Sequence, residues 1–187
     1  MVIYDACALY GNSVRDLLLR IGLARLVQPK WTDTILDELD RALERRPVAQ
    51  EKRQRLRERI NEAVPDCLVT GYESLIEGLK LPDVDDRHVL AAAIKAGADT
   101  IVTSNLADFP ASALEPWNIV AESPDEFVLN LIDLDERVIY SSIQQIADSR
   151  SRPPEAFEDV LTQLERSGLV QSCAELRLGP VSISPLF

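Results

Sequence analysis

Short apolar runs alternate with longer stretches of helical periodicity along most of the chain. Val2–Tyr4 is apolar and meets Asp5 abruptly, which predicts a strand that begins at once and leaves Asp5 at its C-terminal end. Asn12 or Ser13 can cap a helix running to about Val27, with Leu18, Ile21 and Ala24 on a broad apolar face, before Pro29 breaks it. Thr32 caps a second helix from about Asp33 to Arg46, ended by Pro47, and a third spans about Val48–Ala63. Cys67–Thr70 is a short strand candidate. A turn at Leu81-Pro-Asp-Val-Asp-Asp leads into a helix over Asp86–Ala96, with Gly97 as its stop. Thr100–Thr103 and Asn118–Ala121 read as further strands. Ser123-Pro124-Asp125-Glu126 combines a capping residue, a proline at the first helical position and acids in the first turn, and so starts another helix.

After about Leu134 the strand signals stop. Asp135–Ser149 and Pro154–Ser167 read as helices separated by the Arg152-Pro-Pro154 break. The second of them carries Phe157, Val160, Leu161 and Leu164 on one face and stops at Gly168, and a tail ends in Val-Ser-Ile-Ser-Pro-Leu-Phe. The expected fold class is therefore α/β: a central parallel sheet with helices on both faces, plus a small helical C-terminal extension. Residues 1–134 form the expected sheet unit and residues 135–187 the extension.

Composition narrows the chemistry. The 187 residues are 46% hydrophobic and 27% charged, as in an ordinary folded domain. The formal charge of −11 argues against wrapping nucleic acid by bulk electrostatics, though not against a local site. One histidine, His88, excludes motifs that need two, and no glycine spacing matches a dinucleotide fingerprint or a phosphate-binding P-loop. Three scattered cysteines (Cys7, Cys67, Cys173) fit reduced thiols. The N-terminus has no basic region followed by a cleavable apolar stretch, and no apolar run nears the roughly 18 residues of a membrane span. The expected location is the cytoplasm.

In doubly wound sheets the site lies beyond the carboxyl ends of the strands. Asp5, Asp86 and Asp108 all map there from separate parts of the chain. Asp86 shares a helical face with Val89, Leu90 and Ala93, an unusual place for an acid. Alone it reads as a helix cap; the company of Asp5 and Asp108 shifts the reading toward a site. Glu38 and Asp40 flank their apolar stripe about equally, and helical geometry does not decide between them. Like charges about 4 Å apart repel by roughly 4 kcal/mol at an effective dielectric of 20. A divalent cation relieves that repulsion, and hard oxygen donors favour Mg²⁺ or Mn²⁺ over zinc. Such an ion suits phosphoester hydrolysis.

Four stretches, Tyr4-Asp5-Ala6, Leu36-Asp37-Glu38-Leu39, Asp85-Asp86-Arg87-His88-Val89-Leu90-Ala91-Ala92-Ala93 and Thr103-Ser104-Asn105-Leu106-Ala107-Asp108-Phe109, resemble the PIN-domain ribonucleases, and among them the VapC-type toxins of toxin–antitoxin pairs. The likeness covers about residues 1–134 in the right order. It implies a PIN-like fold and a four-carboxylate site of Asp5, Glu38, Asp86 and Asp108, which selects Glu38 over Asp40. It implies Mg²⁺ or Mn²⁺ held by those acids, with Asp5 as the central ligand, and in-line attack of an activated water on an RNA phosphodiester to leave a 5′-phosphate and a 3′-hydroxyl. Asn105 then orients an acid or touches substrate, and Thr103 is a weaker candidate for the same supporting role. Asp83 and Asp85 are extra acids that read as solvated loop residues. The resemblance further implies an RNA substrate, a small antitoxin partner and a homodimer. The extension is less specifically similar to that of one VapC-like subfamily.

Arg41–Arg59 holds eight bases and three acids, a local +5 in a chain of −11. It is open to two readings, a phosphate-binding patch or a solvated helix laced by i,i+4 pairs. Three other functions compete. Cys7 and His88 suggest a cysteine hydrolase, but neighbouring carboxylates suppress the thiolate. A receiver domain needs a phosphoacceptor aspartate and a lysine at strand ends that lack them here. A catalytically silent PIN-like module binding RNA or protein is the alternative to an enzyme. Trp31 and Trp117 read as core or surface anchors rather than stacking platforms.

Overall fold

A computed structural model describes residues 1–150 and 154–178. Strand β1 (Val2–Tyr4) is followed by α1 (Ala6–Tyr10), α2 (Asn12–Leu23), β2 (Pro29–Lys30), α3 (Asp33–Glu44), α4 (Gln50–Ala63), α5 (Glu73–Ile76), α6 (Arg87–Ala96) and β3 (Thr100–Val102). A 3-10 turn at Leu106–Asp108, α7 (Ala111–Leu114) and a second 3-10 turn at Glu115–Trp117 lead to β4 (Val120–Glu122), then α8 (Pro124–Ser149), α9 (Phe157–Arg166) and α10 (Val170–Leu178). The four strands form one parallel sheet in the order β2-β1-β3-β4, with Ile3 opposite both Lys30 and Ile101.

The unbroken apolar run of β1 reflects its place inside a sheet surrounded by helices: Val2, Ile3 and Tyr4 are all buried. Tyr4 stacks on Trp31 and meets Phe127 edge-on, and its hydroxyl donates to the Leu18 carbonyl. Trp31 is fully buried, its indole N–H held by Asn61, whereas Trp117 is exposed. Burial of each large apolar side chain contributes about 1.5–3 kcal/mol. Gly97 ends α6 in the left-handed region at φ +64°, as its position after Ala96 predicts.

Several local expectations differ from the fold. Pro29 does more than break a helix: it opens β2, an edge strand where its missing N–H costs nothing. Helix α2 stops at Leu23, short of Val27, and passes so close to that strand that a Cβ on Gly22 would lie 2.6 Å from Pro29 Cγ. Cys67–Thr70 makes only one parallel bridge, Trp31 with Leu68, because left-handed Asp66 (φ 56°) and Gly71 (φ 71°) bracket it. Ser123 and Glu126 form the expected reciprocal cap. The helix they start runs through Asp135, which is non-helical (φ −156°, ψ 86°) and re-caps the chain by accepting from the Arg137 and Val138 amides.

Helix α9 starts at Phe157 rather than at Pro154, and α10 has no counterpart in the sequence reading. Asp125 holds α10: its carboxylate accepts from the amides of Gln171 and Ser172, each at 2.9 Å, and from the Ser172 hydroxyl at 2.7 Å. Buried side chains of α8, α9 and α10 are contiguous with the core around the sheet. Of the Arg152-Pro-Pro154 break only Pro154 belongs to the described residues, and the 181–187 tail lies outside them. No helix among the described residues is long and apolar enough to cross a membrane.

Candidate active site

Chain direction reverses its lateral progress between β1 and β3: β2 lies on one side of β1, and β3 and β4 on the other. A crevice opens at such a point, beyond the strand ends. Asp5 follows β1 there and is buried. Its Oδ1 accepts from the Ala6 amide at 2.6 Å, capping α1. Its Oδ2 accepts from the Thr103 hydroxyl at 2.8 Å and the Cys7 thiol at 3.0 Å. Thr103 follows β3, is fully buried, and accepts from the Asn105 amide at 3.1 Å. Two neighbouring strands are thus tied together at their carboxyl ends through one carboxylate.

Asp86 stands at the start of α6 but its side chain makes no capping bond, so the bland reading of it as a cap fails. Its carboxylate gathers instead with those of Asp83 and Asp108, the three ligand atoms lying within 4.8 Å of one another. Burial pushes the Asp86 carboxyl up to about 7, and the charges of Asp5, Asp108, Asp83 and Glu38 push it the same way. Asn105 Nδ2 donates to Asp108 Oδ2. Asp83, read from the sequence as a solvated loop acid, is indeed exposed yet belongs to this cluster; its signal was the Asp83-x-x-Asp86 spacing across a turn. Asp85 is exposed, and its amide donates to Asp83 Oδ1 at 2.8 Å.

Helix α3 carries Glu38. Thr32 caps it through the Ile35 amide, and Ile35, Leu36, Leu39 and Leu43 bury its inner face. Of the acids around that stripe, Asp37 pairs with Arg57, and Asp40 pairs with Arg53 at 2.8 Å. Glu38 alone of these turns to the crevice, where its Oε1 lies 3.0 Å from His88 Nε2 and 3.8 Å from Arg41. His88 Nδ1 is buried without a partner, which favours the tautomer that keeps its hydrogen on Nε2 for Glu38.

Among the described residues Asp5, Asp83, Asp86 and Asp108 enter no ion pair. None of the described residues compensates their charge by an ion pair, and their donors are all hard oxygens, a set suited to a divalent cation. Cys7 is unsuited to nucleophilic work. Burial, then the charge of Asp5 and its hydrogen bond, push the thiol up to about 11. Neither nitrogen of His88 meets it. The basic stretch divides: Arg53 and Arg57 are consumed by acids of α3, while Arg41, Arg45 and Arg46 line a groove of ≈ 1030 Å³ that also touches Cys7, Glu38 and Ser104.

Residues 1–107 match the family model described as the PIN domain, and residues 124–178 match the VapC50 C-terminal domain. A Mycobacterium tuberculosis protein named "Putative ribonuclease VapC50" is 41% identical over 96 residues, 49% of this chain and 56% of that protein. The chain thus spans little more than half the length of that curated relative, and no solved structure matches. On the match over residues 1–107, the strand-end acids and the parallel sheet that carries them, the chain belongs to the PIN-domain family.

Proposed function

We propose that the protein is a divalent-metal-dependent endoribonuclease and the toxin of a VapBC-type pair. The observation that carries this reading is the gathering of Asp83, Asp86 and Asp108, with Asp5 and Glu38 close enough to raise Asp86, and with no lysine or arginine paired to the aspartates among the described residues. Asp5, Glu38, Asp86 and Asp108 would hold Mg²⁺ or Mn²⁺, with Asp83 at the rim. When bound, such an ion stabilises charge on a phosphoryl group and lowers the pKa of water.

The chain's own residues perform the remaining work. The Thr103 hydroxyl and Ala6 amide fix both oxygens of Asp5, and Asn105 fixes Asp108. His88 donates to Glu38 Oε1, which leaves Oε2 either to ligate the ion or to position the attacking water. Uncleaved RNA is held by its phosphates, and the 3′-hydroxyl and 5′-phosphate leave on opposite sides of the cut.

The division into a nuclease unit of residues 1–134 and a helical extension of 135–187 belongs to this proposal, supported by the non-helical Asp135 within α8. So do a cytoplasmic location, a homodimer and a small antitoxin partner, for which the support is membership of the family. The test is RNA cleavage by the wild type and Asp5→Asn in Mg²⁺, Mn²⁺ or EDTA. Cleavage by the wild type alone, abolished by EDTA, supports the reading. Metal binding without cleavage of any RNA would favour the silent binding module instead.

A further inference from the structure

The groove of ≈ 1030 Å³ beside Glu38 is walled on one side by the C-terminal end of α3 and on the other by Pro124 and Ser167, the residues that open α8 and close α9. We propose that this groove is the track of single-stranded RNA leading away from the acids, with Arg45 and Arg46 as its phosphate clamp and the C-terminal helices as its far wall. The inference rests on the ribonuclease reading and deepens it.

Three observations converge. First, the groove adjoins the site: Glu38 lines it, and so does Cys7, whose thiol donates to Asp5 Oδ2 at 3.0 Å. A strand whose phosphate sits at the acids therefore has its neighbouring nucleotides in this space. Second, the arginines differ in availability. Arg53 gives its donors to Asp40, Glu44 and the Val48 carbonyl, and Arg57 gives its own to Asp33 and Asp37. Arg45 and Arg46 are exposed, and among the described residues neither enters an ion pair. Arg46 lies over the Tyr10 ring, 4.1 Å from its centroid, a stacking contact that orients the guanidinium without using its hydrogen-bond donors. Two free guanidiniums on a chain of −11 mark a place where an anion is attracted against the general field. Third, the far wall is tied down. Gln163 on α9 accepts from Ser13 of α2 at 3.3 Å and from Arg150, which also pairs with Glu155. The C-terminal helices are thereby fixed against the nuclease unit at the groove's edge, which gives the extension a part in substrate choice.

The test measures binding of a short fluorescein-labelled oligouridylate to the full chain in EDTA, across a series of salt concentrations, so that cleavage is not needed. Each phosphate contact on a single strand contributes a slope of about −0.7 in log K against log salt. The Arg45→Ala/Arg46→Ala double variant should bind more weakly and flatten the slope by about 1.4. Arg55→Ala/Arg59→Ala, two exposed bases on α4 outside the groove, should leave the slope unchanged. Ser167→Trp, on the far wall, should weaken binding with little change in slope. Equal losses from both arginine pairs, or none from the Arg45/Arg46 pair, would overturn the clamp, and normal binding by Ser167→Trp would overturn the wall. Polyglutamate binding as tightly as the oligouridylate would assign the groove to an acidic protein partner. A wild type that binds RNA this way yet never cleaves it would refute the ribonuclease reading and leave the track standing.

Discussion

The Thr103 hydroxyl donates to Asp5 Oδ2 at 2.8 Å across 98 positions of sequence, joining the ends of the two central strands at the carboxylate placed deepest in the site. Thr103→Val keeps the shape and removes the donor, and leaves the Asn105 amide without its acceptor. Losing a buried hydrogen bond to a charged group should cost about 1.5–3 kcal/mol in urea denaturation. Because the bond orients a proposed ligand, Mn²⁺ affinity should fall about 10–100-fold. Unchanged affinity in a folded variant would show that Thr103 does not position Asp5.

Asp86 sets a pH dependence with a definite sign. Its carboxyl is raised from 3.8 to about 7, so without metal the folded chain holds the proton more tightly than the unfolded chain. The stability from the protonated form is fully present below the unfolded value and is lost as the pH rises through about 7. In EDTA the melting temperature should therefore fall between about pH 4 and pH 7, and Asp86→Asn should flatten that fall. Parallel curves for the two proteins would contradict the crowding of carboxylates around Asp86.

The thiol of Cys7 should be inert. With its pKa pushed up to about 11, about one molecule in a thousand carries a thiolate at pH 8. Iodoacetamide at that pH should leave the proposed ribonuclease activity intact while EDTA removes it. Rapid loss on alkylation would revive the cysteine hydrolase that the sequence raised as a competitor.

Asp125 tests how the extension is held. Asp125→Ala strips the acceptor from the Gln171 and Ser172 amides, while the Ser172 hydroxyl keeps the Asp125 backbone carbonyl at 2.9 Å. With the buried Ser172 amide left unpaired, stability should drop by about 1–3 kcal/mol. Hydrogen exchange should lose its protection first in α10. Protection that persists there would mean that apolar packing alone seats the helix.

What the sequence disclosed depended on how local the determinants were. β1, the Ser123 cap and the Gly97 stop each rest on a few adjacent residues, and the strand ends then fix where Asp5 and Asp108 fall. The choice between Glu38 and Asp40 was not local: Arg53, 13 residues further on, takes Asp40 and leaves Glu38 for His88. Helix α10 was hidden for the same reason, its anchor Asp125 lying 46 residues upstream of Gln171. Asp83 looked like a solvated loop acid because it is one by exposure; only the turn before α6 brings it to Asp86 and Asp108.

The central claim is that acids distant in sequence form one cation site, and Mn²⁺ titration followed by the electron paramagnetic resonance of the free ion tests it most directly. The wild type should deplete the free-ion signal saturably, and Asp86→Ala, which removes the acid shared by the cluster, should leave that signal as in buffer. Equal depletion by both proteins, or none by either, would contradict the account.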